Sequence, residues 1–210
     1  MKLSYQLLHY GLGDWLLSFD TSDCVQALTC LQKNLSITHI CETVVGYESL
    51  LIRTDGNIEE HALKQQIDTC LSSSSSTTLL PTHHDIPVLY NGPDLQEVAQ
   101  LTNISERDII ELHSAPLYTV RFLGFSPGFA YLDGLDPKLH LPRRSSPRPK
   151  MAAGAVAIGA AHAGIYSIPS PGGWNWLGNT DHSLFDKHGS DASAFTLRPG
   201  DTLRFNPLSA

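Results

Sequence analysis

The 210-residue chain has few cysteines, a deficit of positive charge and no long apolar run. Its four cysteines, Cys24, Cys30, Cys41 and Cys70, stand 6, 11 and 29 residues apart, and no pair has the C-x-x-C spacing of a thiolate metal site or a redox couple. Ordinary buried thiols in a reduced compartment are therefore expected. Fourteen Lys and Arg against 21 Asp and Glu leave a net charge of -7. That balance excludes a broad electrostatic footprint for nucleic acid or an anionic membrane, so any anion site must be local.

The most apolar stretch, 151–161, is built of small residues and falls far short of the ~20 that a membrane span needs. The opening MKLSYQLLHYGLGDWLLSF is interrupted by His9, Gly11, Gly13 and Asp14, unlike the apolar centre of a signal peptide, and a cytoplasmic location is expected. The chain contains no G-x-x-x-x-G-K-[ST] phosphate loop, so any use of ATP requires another scaffold or another subunit. His83-His84-Asp85 lacks a third ligand at metal spacing, and no metal site is expected.

What is present is a hydrophobic content of 41%, enough for a substantial core. Over the first eighty residues, strand-like and helix-like pieces alternate. YQLLHYG and DWLLSF read as extended, SDCVQALTCLQKNL as a helix capped by Ser22 or Asp23, HICETVVGYESLLIRTD as two strands meeting near Gly46, and NIEEHALKQQIDTCL as an amphipathic helix. The order β-β-α-β-β-α suits a small α+β domain, residues 1–80, with helices on one face of an antiparallel sheet. The serine run 72–76 reads as a loop or linker.

From Ile86 the character changes. PDLQEVAQLTNISERDIIELHSA predicts two short helices, the second capped by Ser105 with Asp108 three residues on. After Pro116, short β-branched or aromatic runs are punctuated by Gly and Pro: LYTVRFLGF, GAVAIGA, GIYSIP, NWLGNT, FTLRPGD and TLRFNP are the predicted strands. Their spacing predicts a mainly-β barrel over 81–210.

Within this half, GFSPG at 124–128 matches the G-x-S-x-G spelling of a hydrolase elbow. An elbow uses the backbone N–H after the serine to hold an oxyanion, and here that residue is Pro127, which has none. The stretch reads instead as a bent strand end turning at Gly124 and Gly128. LPRRSSPRPK places Arg143, Arg144, Arg148 and Lys150 in one extended, proline-rich segment of an acidic chain, either a solvated loop or a bidentate clamp for carboxylate or phosphate. In SIPSPGGWNWLG, Pro171-Gly172 suggests a type II turn, with the Gly172 and Gly173 amides open to an anion beside Trp174. His113 is read as meeting the C-terminal end of its helix, and is also a candidate acid or base.

The ordered motifs PGFAYL, PRR, GIY, SPGGW and RPGD, with GDWLLSF and IPVLYNGPDLQEVA before them, are similar to those of the allophanate hydrolase subunit 1 family, over nearly the whole chain. The resemblance implies a cyclophilin-like β-barrel after the α+β domain. It implies ATP-dependent opening of the 5-oxo-L-proline lactam to L-glutamate, with ATP and magnesium bound by or shared with a partner. Within such an enzyme this chain would be the B component, and its partners would be a C component of the allophanate hydrolase subunit 2 family and a separate A component. The family also contains an inhibitor of a sensor histidine kinase, so a kinase-binding role is the alternative, as is an accessory role in urea or allophanate metabolism. With Tyr166 of GIY and Ser170 of SPGGW, the candidate substrate- or phosphate-binding set is Arg143, Arg144, Arg148, Tyr166, Ser170, Gly172, Gly173 and Trp174. The chain departs from the family pattern at Lys150-Met151-Ala152, where Val-Pro is usual, and at His162-Ala163, where Gln-Thr is common.

Overall fold

The structure, a computed structural model, describes residues 3–21, 23–35, 38–73, 81–190 and 193–209. Cα proximity groups the chain into two compact units, residues 1–80 and 81–210.

Period-two alternation builds the first unit. Strands β1 (Tyr5–Tyr10), β2 (Asp14–Phe19), β3 (Ile40–Val45) and β4 (Ser49–Thr54) form an antiparallel sheet in the order β1-β2-β4-β3. Every second residue of β2 and β4 is buried: Trp15, Leu17 and Phe19, then Leu50 and Ile52. Helix α1 (Val25–Asn34) packs on β3 and β4 and against α2 (Glu60–Ser73), and the two helices bury Leu28, Leu31, Leu63 and Ile67. Each such aliphatic side chain removed from water contributes about 1.5–3 kcal/mol.

Two local expectations need correction. Helix α1 starts after Cys24 with no side-chain cap bond; Asp23 instead takes its own amide bond to Thr21 Oγ1, and Ser22 lies outside the described residues. Helix α2 runs through Ser72 and Ser73, so the serine run begins in a helix; its remainder also lies outside the described residues.

The second unit is mostly β with two short helices. Strands β5 (His83–Val88), β6 (Tyr118–Leu123), β7 (Ala130–Asp133), β9 (Ala155–Gly159), β10 (His162–Ile165), β12 (Asn175–Asn179) and β13 (Thr202–Pro207) form one sheet in the order β12-β9-β10-β7-β6-β13-β5. Its two outer strands meet again: Leu89, just past β5, exchanges both backbone hydrogen bonds with Asn179 of β12 at 2.8 Å, so the sheet is nearly a closed barrel. Inside lie Val120, Leu132, Val156, Ile158, Ala163, Ile165, Leu203 and Phe205. Helix α3 (Leu95–Thr102) contacts β12 and helix α4 (Glu106–Ser114) contacts β13, burying Leu95, Val98 and Ile109. Ser105 caps α4, accepting the Asp108 N–H at 3.1 Å.

Outside the barrel sheet, β8 (Arg148–Met151) pairs with β11 (Ser170–Gly172) as a two-stranded ribbon. Neither strand is legible in the sequence, where RPKM and SPG carry no apolar alternation. FTLRPGD, in contrast, forms no strand, only an isolated bridge from Phe195 to Phe185, and the strand in GIYSIP ends at Ile165.

Candidate functional site

The β8–β11 ribbon joins the arginine segment to the SPGGW segment. Gly172 faces Arg148 and Ser170 faces Met151, and the Arg144 N–H donates to Gly173 O at 2.7 Å. Pro171-Gly172 is therefore a strand and not a type II turn, and Gly172 does not adopt the positive φ such a turn requires.

Two of the three arginines turn to a residue that sequence reasoning missed. Asp94, at the start of α3, is 1% exposed. One carboxylate oxygen accepts from Arg144 Nη1 at 2.8 Å and Arg148 Nη2 at 2.6 Å, and the other accepts the Trp176 N–H at 2.8 Å. Arg144 also bonds Glu97. A carboxylate this buried needs such partners, since its desolvation is otherwise prohibitive. Here two guanidinium groups are balanced by two carboxylates, so much of the local positive charge is neutralised within the protein. The local sequence signal is no more than an Asp at the start of a helix, where it makes no side-chain cap bond.

Other polar groups remain available. Arg143 is exposed, lies 5.9 Å above the Trp174 ring centre in a cation–π contact, and forms no ion pair among the described residues. Arg148 Nη1 and Ser170 Oγ are both buried and have no hydrogen-bond partner among the described residues. Buried polar groups without protein partners are uncommon and point to a ligand or water as their partner. Tyr166 is buried beneath the ribbon: a Cβ on Gly172 would lie 2.2 Å from its hydroxyl oxygen, which explains why that position is glycine. Burial pushes the Tyr166 phenol pKa up, opposed by the Trp174 N–H and the Arg143 charge. Gly173 has room for a side chain, its nearest neighbours lying 3.6 Å from a built Cβ.

An aromatic floor supports these groups. Trp174 sits edge-to-face on Phe129 (5.4 Å) and Tyr131 (5.7 Å), and Phe129 likewise meets Tyr166 (5.1 Å). The Trp174 ring approaches the barrel so closely that a Cβ on Gly159 would lie 2.8 Å from it. Beside this floor is the 124–128 turn. Ser126 N donates to Gly124 O at 2.8 Å, and the sharp bend falls at Phe125, φ 68°, rather than at Gly124. That combination is a γ-turn of the strained, positive-φ kind. Phe125 is 61% exposed and meets Phe129 and Tyr166 edge-on. Ser126 Oγ has no base bonded to it, and β7 follows where an elbow would lead into a helix, so the stretch is not a nucleophile elbow.

His113 lies elsewhere, in the core. It is fully buried, its Nδ1 is 2.7 Å from the Tyr90 hydroxyl, and it stacks on Phe205 at 4.5 Å. Burial depresses its pKa to about 3. Among the described residues no three His, Cys, Asp or Glu side chains are grouped to hold a metal, and no helix is long and apolar enough to cross a membrane.

Comparison with known proteins agrees with this architecture. The family model for the carboxyltransferase domain, subdomain C and D, matches residues 5–195. The B subunit of 5-oxoprolinase from Haemophilus influenzae is 40% identical over 169 residues, 79% of this chain and 78% of that protein. The B subunit of 5-oxoprolinase from Escherichia coli O157:H7 is 48% identical over 126 residues, 59% of this chain and 57% of that protein. The crystal structure of TTHA0988 is 32% identical, with a TM-score of 0.79 over 100% of this chain and 40% of that one. The chain thus spans less than half the length of that solved relative. A likeness to the Kluyveromyces lactis urea carboxylase, TM-score 0.72 at 20% identity, extends over 98% of this chain and 22% of that one and concerns the fold alone. From the run of motifs, the barrel and these relatives together, the chain belongs to the carboxyltransferase domain, subdomain C and D, family.

Proposed function

We propose that this chain acts as the B subunit of an ATP-dependent 5-oxoprolinase, contributing to the conversion of 5-oxo-L-proline to L-glutamate. The observation that carries this reading is 40% identity to a protein of that name across 79% of the chain. Its second unit would be a cyclophilin-like barrel and its first an α+β domain. A cytoplasmic location accords with this reading.

The site chemistry is compatible with a small anionic lactam. Arg143, with Ser170 Oγ and Arg148 Nη1, offers donors of the right kind for a carboxylate. Trp174 and Tyr166, both buried, would support the site from beneath, and the Gly172–Gly173 segment would bring backbone close to the ligand. These donors are of the kind that hold a carboxylate or a single phosphate. ATP and magnesium would be held at a site completed by a partner, the C component of the allophanate hydrolase subunit 2 family, with the A component as the third member. An unstrained amide is a poor electrophile, and ATP would supply its activation. The residues of this chain would bind and orient the ring and exclude water.

Docking on a histidine kinase would call for a cluster of exposed aromatics, whereas Phe125 is the one largely exposed aromatic among the described residues of 81–210. The catalytic reading is favoured on that ground. The test is phosphate release from ATP in mixtures of this chain with its A and C partners, offered 5-oxoproline, urea or allophanate. Release specific to 5-oxoproline, dependent on this chain and weakened by Arg143→Ala, is expected. Release with urea or allophanate alone, or with none of the three, would overturn the assignment.

A further inference from the structure

Every large apolar side chain left exposed among the described residues of 1–80 stands on the four-stranded sheet or its turns: Leu8, Tyr10, Leu12, Val44 and Tyr47. The register explains the pattern. Leu8 faces Leu16, Leu16 faces Leu51 and Leu51 faces Val44, so one unbroken aliphatic row crosses all four strands. Their neighbours Leu17, Leu50 and Val45 point the other way and are buried. The row ends at the two free edges, β1 and β3, where Leu8 is 53% and Val44 46% exposed.

The two edges are not alike. A free strand edge invites pairing with another chain, and proteins blunt it with charges, prolines or bulges. Strand β3 is blunted twice: its pairing with β4 slips between Ile40 and Glu42, and Glu42 carries an exposed carboxylate paired with Arg53. Strand β1 has neither device. Its six residues pair one for one with β2, and YQLLHY contains no Pro, Gly, Lys, Arg, Asp or Glu. His9, its one imidazole, is held against the Trp15 ring with 3.7 Å between centres.

We propose that β1 is a dimerisation edge, pairing antiparallel with β1 of a second copy about a two-fold axis at Leu8. Facing residues of an antiparallel pair lie on the same side of the sheet, so the axis sets Leu8 opposite Leu8, Gln6 opposite Tyr10 and Leu7 opposite His9. No like charges face one another, and two chains of net charge -7 meet along a strand without acids. The sheet becomes eight-stranded, and the aliphatic row runs from one copy into the next. Helix α2 adds charge complementarity. It lies along β1, with the Tyr5 hydroxyl donating to Asp68 Oδ1 at 3.0 Å and His9 within electrostatic reach of Glu60. Glu60 and Lys64 form an exposed ion pair at that level, so the axis presents Lys64 of each copy to Glu60 of the other. Six strand residues a side fall short of the about 20–30 of a standard interface, so the association is reversible. The joint lies wholly in the first unit and is independent of the lactam-opening reading above.

Light scattering of the full chain over a concentration series tests it. The mass should rise towards twice that of one chain, and Leu8→Lys, which sets two ammonium groups face to face, should weaken association at least about tenfold. Val44→Lys, the same kind of change at the blunted edge, should leave it within about twofold. Both side chains are already half in water, so both variants should melt as the parent does when dilute. Exchange of the β1 amides should slow with rising concentration in the parent and not in Leu8→Lys. A parent chain that stays monomeric at millimolar concentration overturns the proposal, as does a dimer that Leu8→Lys leaves intact or that both substitutions weaken equally. Protection of the β1 amides only when the A or C component is added also overturns it, because the edge then belongs to a different chain.

Discussion

Asp94 and Arg148, 54 residues apart in sequence, meet with a carboxylate oxygen 2.6 Å from a guanidinium nitrogen, and the same oxygen also holds Arg144. The pair is built into the wall of the site rather than displayed to a ligand. Removing Asp94 takes the carboxylate from Arg148, leaves Arg144 with Glu97 alone and unpairs one backbone N–H at once. Asp94→Ala should cost about 3–5 kcal/mol, the range for breaking a buried ion pair, and Asp94→Asn somewhat less because its shape and one acceptor survive. Urea denaturation reads both; a loss under about 1 kcal/mol for the alanine variant would mean that the pairing contributes little.

Gly172 answers to Tyr166. A methyl group there would begin 2.2 Å from the phenolic oxygen, so Gly172→Ala should push Tyr166 out of its seat and weaken ligand binding at least tenfold. Gly173→Ala, whose nearest neighbours would be 3.6 Å away, should change binding less than threefold. Equal effects from the two substitutions in a ligand titration would contradict the argument that close approach to Tyr166 explains the glycine at 172.

His113 makes stability depend on pH. Its pKa is about 3 in the fold against an ordinary 6.5. Between those values the unfolded chain binds a proton that the folded chain refuses. The stabilisation is therefore complete above pH 6.5 and is lost as pH falls, at about 1.4 kcal/mol per unit. In the double variant His113→Leu with Tyr90→Phe, which also removes the hydroxyl left unpaired, the slope of unfolding free energy between about pH 6 and about pH 4 should shrink by one proton. An unchanged slope would show that His113 takes up its proton in the fold.

Phe125 carries backbone strain that its packing only partly explains. A non-glycine residue at φ 68° in a γ-turn, with 61% of its surface in water, costs stability on the order of 1 kcal/mol. Phe125→Gly should therefore be neutral or stabilising by up to about 1 kcal/mol in thermal unfolding, while weakening ligand or partner binding. Marked destabilisation would mean that its edge contacts with Phe129 and Tyr166 outweigh the strain.

How much of this was legible in the sequence follows from the range of each interaction. The strands of the first eighty residues were readable because Trp15, Leu17, Phe19, Leu50 and Ile52 recur at period two, a signal confined to each strand. Ser105 as a cap was readable for the same reason, since its partner Asp108 is three residues away. The α1 cap failed because two eligible side chains stood at the right place, yet the helix begins with no side-chain cap bond. The β8–β11 ribbon was hidden because Arg148–Met151 and Ser170–Gly172 owe their extension to each other and carry no alternation of their own. The fate of Arg144 and Arg148 was hidden for a further reason: Asp94 lies 50 and 54 residues away, and the local pattern of charge says nothing about which acid folds back onto which base.

The seam between the outer strands has a consequence for the order of assembly. The residues that shut it, from Leu89 to Asp94, run along β12 with amide bonds from Leu89 to Asn179, Gly92 to Leu177 and Asp94 to Trp176. Zipping the cylinder and delivering the counter-ion for two arginines are thus one event. With the seam open, Arg144 and Arg148 would lose Asp94 and the sheet would lose its closure together, so the charge balance of this wall depends on a joint between two strand edges.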